Sequence, residues 1–322
     1  MSVPVDSAHG ASSHRVPANA PVPTSFWLPS APCTPALCVS DPGPSVARPL
    51  RAARLVTGLA VIAFGVSLIP LIRRLSRPLR DRLIRRWCRT ILAAFGVRAT
   101  ITEGGGEEGK GREGGEGGEG GEMARQERAA RPTRPATGML VVANHASWLD
   151  IPLIAAVLPG RMVAKQEIAS YPVLGQVAAY GGTLFVERDR LRALPAKVDE
   201  LSAALRAGSS VIVFPEGTTW CGREHGPFRH AAFQAAIDAS VPVRPVSIRY
   251  RLQDRRFAEA AAFVGKDTLL ASLRRVAAVR GLTAELTVLP PIAPGTHNDR
   301  RALARAAHEA AVSRRTPRRP GT

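Results

Sequence analysis

The sharpest constraint in this chain is a pair of short apolar runs that each break off in polar residues. Met139-Leu140-Val141-Val142-Ala143 stops at Asn144-His145, and Ser209-Ser210-Val211-Ile212-Val213-Phe214 stops at Pro215-Glu216-Gly217. Runs of this length, rich in β-branched residues, read as buried strands. In α/β sheets, ligands bind at the edge where such strands end. A His and an Asp therefore sit where a strand gives way to a helix, because Asn144-His145-Ala146-Ser147-Trp148-Leu149-Asp150 is followed by the helical Ile151-Pro152-Leu153-Ile154.

Strands and helices alternate from Met139 onward. Arg161–Lys165, Gly182–Glu187, Val243–Tyr250, Ala261–Gly265 and Ala284–Leu289 read as further strands. Helices are expected over Tyr171–Tyr180, Leu191–Ala207, His230–Ala239, Asp267–Val279 and Arg300–Ser313. Such alternation implies an α/β layered domain. Val97–Thr102 is a short β-branched strand ahead of it, and the Gly- and Glu-rich stretch from Glu103 to Glu122 cannot bury a core. The expected organisation is a disordered tail over 1–50, membrane-associated helices over 51–96, a catalytic domain over 97–313 with a disordered insertion and linker at 103–137, and a basic tail over 314–322.

Composition matters mainly through charge. The formal net charge is +18 over 322 residues, which implies an anionic partner. The arginines cluster beside an apolar segment, and no zinc-finger or aromatic RNA-binding pattern is present, so nucleic acid is not expected. Leu55–Ile72 carries no charge over 18 residues and is flanked by Arg51, Arg54, Arg73, Arg74 and Arg77. It is long enough for a bilayer span, a re-entrant or interfacial helix, or a buried core helix. The arginines place the following chain at the cytoplasmic face of the cell membrane. Leu79–Phe95 reads as an amphipathic basic helix, either docked on anionic lipid or an ordinary core-facing helix with a solvated basic face. A signal peptide is not expected, because no apolar core falls within the first thirty residues. Cys33, Cys38, Cys88 and Cys221 lack paired metal spacing and read as free thiols, the first two within the loose tail.

Four stretches carry chemistry. In the first, a neutral His145 can take a proton from a hydroxyl and Asp150 can fix its tautomer. Five residues would set the two about 140° apart on an ideal helix, so they meet only if His145 lies in the turn before it. The second, Gly181 to Arg190, ends a strand in Arg188, whose guanidinium fork suits phosphate or carboxylate. The third, Val211 to Thr219, places Glu216, Gly217 and Thr218 in a loop able to face an anion. The fourth, Val241 to Ile248, enters a β-branched strand through Pro242 and Pro245; its chemistry is weak in itself, and its ordinary alternative is an edge strand. Each stretch alone also has an ordinary structural reading, as a cap, a strand-end ion pair, a turn or an edge.

In this order and spacing the four stretches resemble the blocks of the glycerolipid acyltransferase family, enzymes that acylate glycerol-3-phosphate or lysophospholipids. The resemblance covers about residues 75 to 295. It implies a central mixed sheet flanked by helices, preceded by a membrane-associated helical pair. It also implies that His145 is a general base on the acceptor hydroxyl and that Asp150 holds it. The acyl group would come from a thioester, acyl-CoA or acyl carrier protein, with no metal or other cofactor. Arg188 would bind the acceptor phosphate. Glu216, Gly217 and Thr218 would line the acceptor site with Asn144, and Lys165 would be a second phosphate ligand. The expected product is phosphatidic acid from 1-acyl-sn-glycerol-3-phosphate.

One position departs from the pattern. Thr219 stands where many members have Arg after the third block. Arg223 or Arg229 could replace that cation, or the acceptor could be a lyso-ornithine lipid, a glycolipid or glycerol-3-phosphate. A lipid-binding protein without catalysis is the remaining alternative. Cys221 and His225 read as incidental, and Ser147 lacks the glycine-rich elbow of a hydrolase nucleophile.

Overall fold

The run Met139–Ala143 forms strand β2 and is buried at every residue. Its side chains alternate between two cores. Met139, Val141 and Ala143 face one apolar cluster, while Leu140 and Val142 face the other. A strand covered on both faces has no place for a polar residue, and this accounts for the unbroken run. The structure, a computed structural model, describes residues 30–41, 43–104, 138–171, 174–187 and 190–313.

The remaining strands are β1 (Arg98–Glu103), β3 (Arg161–Lys165), β4 (Leu184–Val186), β5 (Ser210–Val213), β6 (Val243–Arg251) and β7 (Thr283–Val288). They form a 7-stranded sheet in the order β1-β7-β6-β2-β5-β3-β4. Neighbours are parallel except β6 and β7, so the sheet is mixed, as the resemblance implies. The ends of β2, β3, β4, β5 and β6 therefore emerge along one edge.

Helices cover both faces. On the first lie α2 (Arg48–Ser67), the short α3 (Ile69–Ile72), α4 (Arg77–Ala94), α5 (Asp150–Ala155) and α9 (Leu269–Ala278). Ile91, Leu92, Phe95, Leu153, Ile154 and Val276 build that core. On the second, α7 (Leu194–Arg206), α8 (Ala231–Asp238) and α10 (Arg300–Ser313) contribute Leu201, Leu205, Phe233, Leu303 and Ala307. The helix α6 (Leu174–Tyr180) follows a short 3₁₀ turn over Gln166–Ser170. Thr268 starts α9 as its N-cap, accepting a 3.2 Å hydrogen bond from the amide of Ala271.

Three expectations need correction. Ala261–Gly265 is not a strand. Glu259–Ala261 forms a 3₁₀ turn, and the amide of Phe263 bonds the carbonyl of Ala146, so this backbone is satisfied by a loop rather than a ladder. The strand after Pro242 is not an edge. β6 lies between β2 and β7, and Pro245, which lacks an amide hydrogen, still accepts from Leu289 through its carbonyl.

The third correction concerns residues 30–47, expected to be loose. They dock on the domain through α1 (Pro35–Cys38), a bridge between Ser45 and Val279, and bonds from Asp41 N and Ser40 Oγ to Glu259. Cys33 is buried beside Cys221, with Cys38 close by, so Cys221 is not isolated either. No periodicity announces this segment because its contacts are made one residue at a time. The 1–29 tail, the Gly/Glu-rich insertion at 105–137, Arg188 and the 314–322 tail lie outside the described residues.

The apolar segment forms most of α2 together with α3, and α2 is, among the described residues, the helix long and apolar enough to cross a membrane. It lies along the domain rather than away from it. Gly58 sits under the Phe95 ring and Gly65 under Trp87, where an added Cβ would fall within 2.5 Å of ring atoms. Trp87 Nε1 donates to the Val61 carbonyl at 2.9 Å. Arg54 donates to the Val279 carbonyl at 2.7 Å, and the amide of Val46, just ahead of the helix, bonds Ala278 at 2.7 Å.

Candidate active site

Asp150 opens α5 and is wholly buried. His145 lies in the turn ahead of it, the placement that lets side chains five residues apart meet. The Nδ1 atom of His145 is 2.8 Å from Asp150 Oδ2. The same oxygen accepts the amides of Ala146 at 2.7 Å and Ser147 at 2.9 Å. The turn is thus folded around the carboxylate, and the imidazole cannot move without disturbing it. Carboxylate contact at Nδ1 fixes the proton there and leaves Nε2 with a lone pair. The ring is partly exposed, with 20% of the side chain accessible, and it stacks on Phe214 at 4.1 Å between centroids.

The other carboxylate oxygen has a partner that sequence reasoning missed. Tyr250, on β6, donates to Asp150 Oδ1 at 2.6 Å. Burial, followed by the adjacent carboxylate, pushes the Tyr250 hydroxyl well above its ordinary range and keeps it protonated as a donor. The only sequence signal was a tyrosine in a buried strand, which needs a polar partner for its hydroxyl. Nothing in the spacing names Asp150 as that partner.

Two expected acceptor-site residues turn inward. Asn144 is buried and bonds the backbone of Ile248 twice, donating from Nδ2 at 3.1 Å and accepting at Oδ1 at 2.8 Å. It pins the end of β2 to β6. Glu216 is also buried, and its carboxylate accepts the amide of His145 at 2.6 Å and that of Gly226 at 3.2 Å. It locks the third block to the first by gripping the backbone of the histidine. Trp220 completes this clamp, its amide bonding the His145 carbonyl at 2.8 Å.

Gly217 and Thr218 occupy the turn after Glu216. Gly217 has φ of +77°, which a side chain would strain, and its amide bonds Phe214 at 3.0 Å. Thr218 and Thr219 are half-buried. Lys165 ends β3, exposed at the same sheet edge. Arg223 pairs with the buried Glu259 and lies over the Phe257 ring, so it is already engaged. Arg229 is exposed. Ser147 shapes the turn, its Oγ accepting the amide of Leu149 at 3.2 Å.

This arrangement can deprotonate a hydroxyl and hold the resulting imidazolium against a carboxylate. Comparison with known proteins gives the chemistry its class. The acyltransferase family matches residues 123–249. The lyso-ornithine lipid O-acyltransferase of Pseudomonas aeruginosa is 33% identical over 81% of this chain and 90% of its own length. The 1-acyl-sn-glycerol-3-phosphate acyltransferase of Neisseria gonorrhoeae is 44% identical over 35% of this chain, which spans only 44% of that relative. The fold is similar to that of the 1-acyl-sn-glycerophosphate acyltransferase of Thermotoga maritima, with a TM-score of 0.58 at 20% identity over 84% of this chain and 97% of that one. The chain belongs to the acyltransferase family and is an O-acyltransferase of its lysophospholipid acyltransferase group.

Proposed function

We propose that this enzyme acylates the free hydroxyl of a lyso-ornithine lipid at a membrane surface, using an acyl thioester as donor. The observation that carries the choice of acceptor is the match to the Pseudomonas aeruginosa enzyme, which runs through 81% of this chain and 90% of that relative. This shifts the weight from lysophosphatidic acid, the acceptor expected from the motifs. Thr219 fits the shift, since an ornithine head with one carboxylate and one ammonium asks for fewer cations than a phosphate does. Lysophosphatidic acid is the second reading, favoured by the higher identity to the Neisseria enzyme, 44% over the 113 residues matched.

The chemistry is the same for either acceptor. Nε2 of His145 takes the proton as the acceptor oxygen attacks the thioester carbonyl. Asp150 balances the imidazolium that forms, with Tyr250 and two amides holding the carboxylate in place. The tetrahedral intermediate collapses, the C–S bond breaks, and the thiolate leaves with the proton from His145. The products are the acylated lipid and free thiol, from either acyl-CoA or acyl carrier protein. Lys165 and Arg188 are the proposed contacts to the acceptor head group, with Gly217 and Thr218 lining its site. Asn144 and Glu216 act as positioning residues.

The enzyme sits on the cytoplasmic face with α2 lying in the interface rather than crossing it. Val56, Leu59, Phe64 and Leu71 face outward from α2 and α3, and such a face buries itself at the acyl boundary. A true span would have to break the bonds of Val46, Arg54 and Trp87 described above.

The test is an acceptor panel on membranes expressing the protein, with labelled acyl-CoA or acyl carrier protein. Lyso-ornithine lipid should be used well ahead of lysophosphatidic acid, and His145→Ala should lower either activity by about 10²-fold or more. A wide preference for lysophosphatidic acid would restore the second reading.

A further inference from the structure

Three of the four cysteines meet at one point. The sulfurs of Cys33, Cys38 and Cys221 all lie within 4.8 Å of one another. Two come from the segment ahead of α2 and the third from the loop after the third block, 188 residues away from Cys33. The single turn of α1 brings the first two together, because Thr34 caps it through its Oγ1 and the amide of Cys38 bonds the Thr34 carbonyl at 2.9 Å. Backbone amides point at the sulfurs: Cys221 N at 3.4 Å from Cys33 Sγ and Glu224 N at 3.5 Å from Cys221 Sγ. Ala262 and Val264, with Trp220 and Val39 partly covering, enclose the cluster in apolar surface.

We infer that Cys33, Cys38 and Cys221 form a binding site for a thiophilic divalent cation of the zinc class, which staples the N-terminal segment to the active-site loop. Zinc–thiolate bonds of about 2.3 Å in a tetrahedron set sulfurs about 3.8 Å apart. The observed cluster closes onto an ion with a shift of roughly an ångström. A disulfide would engage only two of the three sulfurs. On binding, the thiols release their protons to solvent and three metal–sulfur bonds form, leaving the fourth position for water. The amides aimed at the sulfurs are the outer donors that such thiolates use. The staple bears on the known site through one residue, since Trp220, next to Cys221, holds the backbone of His145.

The test uses the full chain in detergent, purified with reductant, stripped by a chelator, and reloaded with Zn²⁺ or Co²⁺. The expected result is about one ion retained per chain. The Co²⁺ form should show thiolate-to-cobalt charge transfer with tetrahedral d–d absorption, both lost in Cys38→Ser. Stripping should also expose the chain ahead of Arg48 to protease. The wild-type cobalt spectrum decides the matter even if the variant does not fold. Loss of all metal on gel filtration, with three thiols alkylating freely, would overturn the site. So would two thiols that resist alkylation until reduced. None of these readouts involves acyl transfer, so they stand apart from the acceptor assignment.

Discussion

Tyr250 and Asp150, 100 residues apart, share a buried 2.6 Å hydrogen bond that completes the carboxylate on which His145 rests. The carboxylate is enclosed, with four donors converging on its two oxygens. Its orientation is set by the sheet as much as by its own turn.

His145→Ala removes the proposed base, and acyl transfer should fall by about 10²–10⁴-fold or more. Asp150→Asn keeps the shape but favours the wrong tautomer, and should cost about 10⁴-fold by analogy with hydrolase triads. Because Asp150 also caps its own turn, this variant should melt earlier than His145→Ala. Full activity in either purified variant would remove these residues from the mechanism.

Tyr250→Phe preserves the packing but strips one donor from a buried carboxylate, a loss of about 1.5–3 kcal/mol. Thermal unfolding should shift down by several degrees. The turnover rate should fall while KM for the acceptor holds, because the hydroxyl acts through Asp150. The raised Tyr250 ionisation adds a pH signature. Its stabilisation is complete below the unfolded tyrosine value of about 10 and is lost as pH climbs through the higher folded value. The wild type should therefore lose stability in strong alkali by a component that Tyr250→Phe lacks.

Glu216→Gln replaces an acceptor carboxylate with an amide whose NH₂ would face the amide of either His145 or Gly226. A cost of about 1–3 kcal/mol is expected in unfolding. Activity should drop through the turnover rate with little change in acceptor KM. A selective rise in acceptor KM would instead mean that Glu216 touches substrate.

The outward arginines of α4 should govern lipid binding. Arg82, Arg86 and Arg89 are exposed, whereas Arg85 donates to the Val157 carbonyl at 3.2 Å and belongs to the fold. Binding to vesicles containing anionic lipid should weaken steeply with salt. Each charge reversal at the three exposed positions should remove roughly 1 kcal/mol or more. Salt-insensitive binding that survives all three reversals would leave only the apolar face of α2 as anchor.

If α2 lies in the interface, its two flanks stay on one side of the bilayer. Single cysteines placed at Ser45 and at Thr296, in a cysteine-free background, should react with an impermeant reagent from the same face of sealed vesicles. Labelling from opposite faces would make α2 a span.

Local chemistry made much of this protein legible in advance. A run such as Met139–Ala143 can satisfy five buried side chains and a full ladder only as a covered strand, so both the layered fold and the edge where His145 emerges follow from the residues themselves. The His145–Asp150 pair was readable for a similar reason, since five residues span a single turn. What the chain could not announce are contacts that depend on which distant segment arrives. Tyr250 reaches Asp150 only because β6 lies beside β2. Glu216 turns inward because the amides of His145 and Gly226 converge on it. Cys33 and Cys38 find Cys221 because the segment before α2 folds back over the domain. Periodicity records which face of an element is buried; it carries no information about what is buried against it, and that was decided by tertiary packing alone.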